Sequence, residues 1–258
     1  MNDALGIDVV TRPLLFVALA ALAFLPLEHA IAAHPERRRR FATDLAFATV
    51  GQLLVRAGMV LVVGGALARL DGAALERPLL AGIADRHARF AAETVVGLLL
   101  FELAGYAYHR LAHAVPALWR LHELHHSSET MDWLASFRQH PLEILLMTLA
   151  QNAPLVLLGV PLGAHATMLV GLKLATVFVH SNVRLPLGPL RFIVATPRFH
   201  HRHHQRGGSV ANFSSFLPLI DVVFGSYSGA TSRAFGVERA LPTGFLTLLL
   251  EPLRRRDR

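Results

Sequence analysis

Apolar residues run almost unbroken through three stretches of the chain, residues 14–33, 45–70 and 90–108. Each is near or above the roughly 20 residues that a helix needs to cross the hydrocarbon of a bilayer, so the pattern predicts three spanning helices. A fourth apolar block, residues 142–179, is interrupted by Pro154 and by the turn sequence Gly159-Val160-Pro161-Leu162-Gly163. Pro161 lacks a donor N–H and clashes with the turn before it, so one continuous helix is excluded. The block reads as a hairpin of two short helices, each about 17 to 19 residues, that dips into the membrane and returns.

The polar flanks give these elements a direction. Asp3, Asp8 and Arg12 precede the first run, whereas Arg37, Arg38, Arg39 and Arg40 follow it. The positive-inside rule puts that Arg cluster in the cytoplasm and the N-terminus outside. The same flanks argue against a cleaved leader, although Ala30-Ile31-Ala32 resembles a small-residue cleavage site. Counting crossings, the loop 71–86 is external, and the segment 109–141 and everything from His180 onward, ending in Arg254-Arg255-Arg256, are cytoplasmic. With no internal repeat or linker, residues 1–258 read as one membrane domain.

Composition agrees with a lipid solvent. Of 258 residues, 53% are hydrophobic, and the mean hydropathy is +0.44. The formal net charge is +7. On so apolar a chain, this excess suits loops against anionic headgroups; a nucleic-acid binder would carry a basic stripe with interleaved aromatics on a polar domain. Every basic residue except Lys173 is Arg, a bias expected of a GC-rich bacterial genome, and the inner membrane is the expected location. There is no cysteine, which excludes disulfides, thiolate-ligated haem and iron–sulfur clusters within the chain. Any metal must be held by His, Asp or Glu.

Eleven of the 15 histidines fall within residues 109–140 and 180–204. His109 and His113, four apart at the end of the third run, share a helix face. His122, His125 and His126 form one His-x-x-His-His triplet, and His200, His203 and His204 form another. At 3.6 residues per turn, each triplet spans an arc of about 100°, so three imidazoles leave one helix face together. A single triplet would suit a solvated polar face; two on one side of the membrane, with the upstream pair, point to ligation. His180 adds a ninth candidate. Eight or nine imidazoles exceed what one ion accepts, so two metals are implied. Imidazole suits Zn, Fe, Cu or Ni alike. Ligating rings need partners for their second nitrogen, for which Glu123, Asp132, Glu143, Asn182, Asn212 and Asp221 are candidates.

These motifs resemble those of the fatty acid hydroxylase superfamily, which includes sterol desaturases, C-4 methylsterol oxidases and carotenoid hydroxylases. The resemblance is carried by HxxxH at His109 and His113 and by HxxHH at His122 to His126 and at His200 to His204. Surrounding text agrees, notably Phe137-Arg138-Gln139-His140-Pro141-Leu142-Glu143, Val179-His180-Ser181-Asn182 and Thr196-Pro197-Arg198-Phe199-His200. It covers residues 90–227, the expected catalytic region.

The resemblance implies an all-α fold: a polytopic bundle of about four to five membrane helices capped by a cytosolic His-rich helical domain. It implies a di-iron centre of two Fe ions, O2 as co-substrate and a lipid substrate such as a sterol or fatty acid. Hydroxylation and desaturation both stay open. Electrons would come from cytochrome b5, ferredoxin or a reductase. Some relatives carry a second HxxxH after the hairpin, whereas here Arg184 stands four residues after His180, which leaves the ligand count open. His140 reads either as a ligand or as an orienting residue. His201, about 100° from its neighbour, is expected to face solvent.

Other residues get local readings. Glu93, Glu102 and Arg56 fall inside predicted spans, where ionisable groups usually face the bundle interior. Glu102, two turns before His109, is read as an interhelical partner or as a residue lining the site. Tyr108, Trp119 and Trp133 suit an interfacial aromatic belt, and residues 241–256 suit an interfacial helix. Two rival functions remain: a membrane hydrolase built on two zinc ions, and a metal transporter or sensor. The latter would place its ligands midway through the spans.

Overall fold

The computed structural model describes residues 2–35, 40–64, 80–160, 162–207, 209–232 and 234–254. Arg37 to Arg39, the stretch 65–79, Pro161, Arg255 and Arg256, on which parts of the expected topology rest, lie outside the described residues. Among the described residues the chain is helical, with only isolated bridges at Ala32–Val183 and Gln205–Phe235.

Among the described residues, three helical spans are long and apolar enough to cross a membrane: Val10–Ala30, Phe41–Val62 and Arg86–Ala114. The first lies in α1 (Asn2–Ala30). The second joins α2 (Phe41–Ala46) and α3 (Gln52–Met59) through a π-turn at Phe47–Gly51. The third is α4 (Arg86–Ala114), started by Asp85, whose carboxylate accepts the Ala88 N–H at 2.7 Å. Leu22, Leu61 and Leu157 are 74%, 75% and 84% exposed, as lipid-facing side chains would be.

The hairpin is α6 (Pro141–Leu157) and α7 (Leu162–His180). Pro154 does not break it, as its position suggested, but sits inside α6. The helix ends at Gly159, whose φ of 74° only glycine adopts freely. There the Gly159 N–H meets the Val156 carbonyl and the Val160 N–H meets that of Leu155, a Schellman stop that satisfies two orphaned carbonyls.

Between the spans and beyond the hairpin lie the short polar helices α5 (Pro116–His126) and α8 (Pro197–His203). Both begin on a proline whose fixed φ suits a first helical position. Thr196 caps α8 by accepting the Phe199 N–H. Two smaller helices follow, α9 (Leu219–Val223) and α10 (Phe245–Leu250).

The packing joins membrane helices to the His-rich elements. Val17, Ala20 and Phe24 of α1 bury against Ala48, Val177 and the 3-10 turn residues Trp133, Leu134 and Phe137. Trp133 and Tyr108 are therefore core residues, 5% and 9% exposed, and form no aromatic belt. Gly105 of α4 lets α6 approach so closely that a Cβ there would lie 2.6 Å from Gln151 Nε2. The expected interfacial tail is also partly internal: Leu248 of α10 buries with Phe47 and Leu124. Arg239 fastens the same tail to α5 by a fork of two 2.8 Å bonds to Glu123, with a third bond of 3.0 Å to Glu251.

Candidate metal centre

The nine expected imidazoles converge in two groups. His109, His113, His122, His126 and His203 form one, and His125, His180, His200 and His204 the other, with the candidate ligand atoms of each group within 4.8 Å of one another. The division cuts through both triplets. In each, the rings at i and i+4 stay together and the i+3 ring crosses to the other group: His125 leaves His122 and His126, and His203 leaves His200 and His204. On a helix, i and i+4 differ by about 40°, whereas i+3 lies about 60° to the other side, so a triplet naturally feeds two neighbouring points.

Within the groups it is the Nε2 atoms that face one another. In the first, His122 Nε2 lies 3.1, 3.1 and 3.0 Å from those of His109, His113 and His126. His203 Nε2 lies 3.2 Å from that of His113 and 3.1 Å from that of His126. In the second, the contacts are His125–His180 at 3.1 Å, His180–His200 at 3.0 Å and His200–His204 at 3.1 Å.

The second ring nitrogens decide what these contacts are. Nδ1 of His109 meets the Phe213 carbonyl at 2.7 Å, that of His125 the Arg138 carbonyl at 3.2 Å, that of His180 the Thr176 carbonyl at 2.7 Å and that of His203 the Ala211 carbonyl at 2.9 Å. His122 Nδ1 meets the Glu143 carboxylate. A carbonyl only accepts, so the Nδ1 atoms of His109, His125, His180 and His203 carry the protons and their Nε2 atoms present bare lone pairs. Lone pairs 3 Å apart repel unless a cation lies between them. With metal–nitrogen bonds of about 2.0–2.1 Å, two imidazoles on one ion stand about 2.9 Å apart at right angles and about 3.3 Å apart in a tetrahedron. The observed spacing falls in that interval, so the donor set fits one metal ion per group.

Burial keeps the set ready. His122, His125, His126, His200, His203 and His204 are pushed well below the ordinary histidine range by desolvation, reinforced by neighbouring imidazoles. They are neutral, as a metal ligand must be.

Of the expected orienting side chains, only Glu143 touches a ligand ring. Asn212 and Asp221 act one step further back. Asn212, fully buried with a φ of 62°, lies between Ala211 and Phe213, whose carbonyls hold His203 and His109. Its amide donates to the Phe199 and Ser228 carbonyls at 2.8 and 3.0 Å. Asp221 takes the N–H groups of Phe213 and Ser214 at 2.7 and 2.9 Å. Glu102 belongs to neither imidazole group; its Oε2 accepts the N–H groups of Phe216 and Leu217 at 2.9 and 3.1 Å. Asp132 caps the 3-10 turn and Glu123 is taken by Arg239.

His140 stands apart from both groups, capping α6 through Nδ1 and meeting the Leu249 carbonyl through Nε2 at 3.1 Å. Asn182 meets no ligand ring and holds the backbone of His34 instead. His201 does not face solvent: it is 2% exposed, with its pKa lowered to about 3 by burial beside His34.

Trp119, which the sequence places only at an interfacial belt, is a neighbour of the site. Its ring centroid lies 5.1 Å from that of His113 and 5.5 Å from that of His126, covering the edge of the five-imidazole group. The signal was available, since Trp119 precedes His122 by three and His126 by seven on one helix face.

Fold and site define an all-helical membrane protein built around paired imidazole groups suited to metal. The chain belongs to the fatty acid hydroxylase family, whose model matches residues 94–226. It is 32% identical over 173 residues to an ornithine lipid hydroxylase of Rhizobium tropici, a match covering 65% of this chain and 52% of the relative. It is 31% identical over 141 residues to an alkylglycerol monooxygenase of Homo sapiens, covering 54% of this chain and 31% of the relative. A methylsterol monooxygenase 1 of Rattus norvegicus is 31% identical over 126 residues, 47% of this chain and 41% of the relative. The chain thus spans about half the length, or less, of these relatives. No solved structure matches it.

Proposed function

We propose that the protein is a membrane-bound di-iron oxygenase that uses O2 and external electrons to hydroxylate a lipid. The observation that carries this is the convergence of nine imidazoles into two groups whose Nε2 atoms face one another, with the Nδ1–H groups of four of them committed to backbone carbonyls. His109, His113, His122, His126 and His203 would hold one iron, and His125, His180, His200 and His204 the other. Residues 90–227 form the catalytic region on this reading.

Iron is favoured over zinc by the chemistry that the relatives' names describe. Hydroxylases and monooxygenases reduce O2, which zinc, lacking redox states, does not do. Bound iron would supply the electron-transfer chemistry that reduces O2 and oxidises an unactivated C–H bond. The overall balance is lipid C–H, O2, two electrons and two protons to lipid C–OH and water. The chain itself provides the rest. Glu143 and the four carbonyls fix ring orientation and keep Nε2 as the donor. Phe213 and Trp119, packed against the rings of the five-imidazole group, would help exclude water from the reacting centre. The exposed apolar flanks of the spans, Leu22 and Leu61 among them, would let a lipid substrate approach from the bilayer.

The relatives act on ornithine lipids, alkylglycerols and methylsterols by name, and this favours hydroxylation over desaturation and a polar-headed lipid as substrate. Electrons would come from cytochrome b5, a ferredoxin or a reductase, since the cysteine-free chain cannot carry an iron–sulfur cluster. The location proposed is a bacterial inner membrane with the site on the cytoplasmic side.

Metal analysis of protein from iron-replete cells, joined to lipid profiling under 18O2, tests the proposal. Two irons per chain and a lipid heavier by one 18O atom are expected. Two zinc ions with O2-independent product would establish a hydrolase instead, and a product lighter by two hydrogens a desaturase.

A further inference from the structure

The four-imidazole group is held from behind by residues outside the nine. His180 is the last residue of α7, where a helix leaves its carbonyls without intrahelical partners. His201 Nε2 meets that carbonyl at 3.2 Å, so it carries the proton and Nδ1 is an acceptor. His34 Nε2 lies 3.1 Å from His201 Nδ1 and donates to it. The result is a directed chain, His34 to His201 to the His180 carbonyl, with each tautomer set by the next acceptor. Phe235 packs against both rings, at 5.1 and 5.5 Å between centroids.

His34 follows α1 and lies outside the family-matched region, yet it is clamped in place. Asn182, two residues after His180, accepts the N–H groups of Ala33 and His34 at 3.0 and 2.8 Å and donates to the His34 carbonyl at 2.9 Å. Glu28, near the end of α1, accepts the N–H groups of Asn182 and Trp133 at 2.9 and 2.7 Å. The Ala32–Val183 bridge and the Arg184 N–H to the Ile31 carbonyl close the seam. His201 also neighbours His200, so the chain joins the end of α7, which carries His180, to α8, which carries His200 and is followed at once by His204.

We propose that His34 and His201 are positioning residues for the four-imidazole group, making the end of the first membrane helix an integral part of that half of the metal centre. The proposal rests on the two-ion reading above. Neither residue is a ligand; they hold the backbone of His180 so that its Nε2 meets those of His125 and His200.

The test is Co2+ titration of the metal-free full chain in detergent, followed by absorption and by bound metal per chain. The parent protein is expected to take up two equivalents. His201→Phe and His34→Leu should keep one at parental affinity and bind the second about 10- to 100-fold more weakly, the usual scale for loss of an outer partner. His201→Gln and His34→Gln, which still donate along the same chain, should restore it. Adding His122→Ala to His201→Phe should weaken the retained equivalent, assigning it to the five-imidazole group.

Two tight equivalents in both His201→Phe and His34→Leu would overturn the proposal while leaving the two-ion centre intact. Fewer than two in the parent would overturn the two-ion centre and the proposal together. Equal weakening of both equivalents, or no effect of the added His122→Ala, would also overturn it. Should His201→Phe not fold, His34→Leu, at a half-buried position away from the ligand rings, carries the same test.

Discussion

Arg138 and Asp44 form an ion pair across 94 positions of sequence, and both side chains are sealed from solvent, at 1% and 0% exposure. Asp44 belongs to the second span; Arg138 leads into the hairpin, and its carbonyl orients His125. The pair therefore ties a membrane helix to a candidate ligand. Replacing Asp44 by Ala takes the carboxylate from a buried guanidinium that then keeps the Ser127 hydroxyl as a neutral partner. The expected loss is about 3–5 kcal/mol, read as a lower unfolding temperature in detergent, with metal released more readily as His125 loses its support.

Among the described residues, Glu143 is a carboxyl group bonded directly to a candidate ligand ring, that of His122. Glu143→Leu removes the acceptor for the His122 Nδ1–H and should weaken metal binding in the five-imidazole group by about 10- to 100-fold. Glu143→Gln keeps a carbonyl acceptor and should lose much less. Metal titration of the two variants side by side checks the difference; equal affinities would show that His122 needs no such partner.

Asn212 combines a left-handed backbone with three side-chain bonds. Asn212→Ala loses the bonds and adds strain of about 1–2 kcal/mol, whereas Asn212→Gly loses the bonds alone. The Ala variant should thus be the less stable of the two, although Ala is normally the safer substitution. Thermal unfolding of both, at matched metal content, decides it.

The depressed imidazoles set a pH dependence. Unfolded, each histidine titrates near about 6.5; folded, His122, His125, His126, His200, His203 and His204 resist protonation far below that. The unfolded state therefore binds more protons as the pH falls, and stability falls with it. Metal-free protein should show a flat unfolding midpoint above about pH 7 and a progressive drop on acidification through about 6.5. A midpoint that rises on acidification would contradict the neutral assignment.

Trp119 lies against His113 and His126, while Trp133 lies in the core beside Phe137. The chain has two tryptophans, so emission separates them cleanly. Binding of Co2+ or iron should quench Trp119 strongly, and the Trp119→Phe variant should lose most of that quenching.

The amino-acid sequence by itself determined the membrane helices, the hairpin and the nine imidazoles, because hydrophobic run length and 3.6-residue periodicity are local properties written in side-chain type. Pro116 and Pro197 even mark where the two His-rich helices start, and Pro141 where the hairpin does. What the tertiary structure alone decided is which ring joins which group and what holds each ring. Helix geometry turns each i+3 histidine away from its i and i+4 neighbours, but which group it then joins depends on the rings that the other helices bring to that side. The orienting groups are mostly backbone carbonyls, at Phe213, Arg138, Thr176 and Ala211, and every residue has a carbonyl, so no residue type signals them. His201 looked solvent-facing for the same reason: its burial comes from His34 and Phe235, brought from distant parts of the chain.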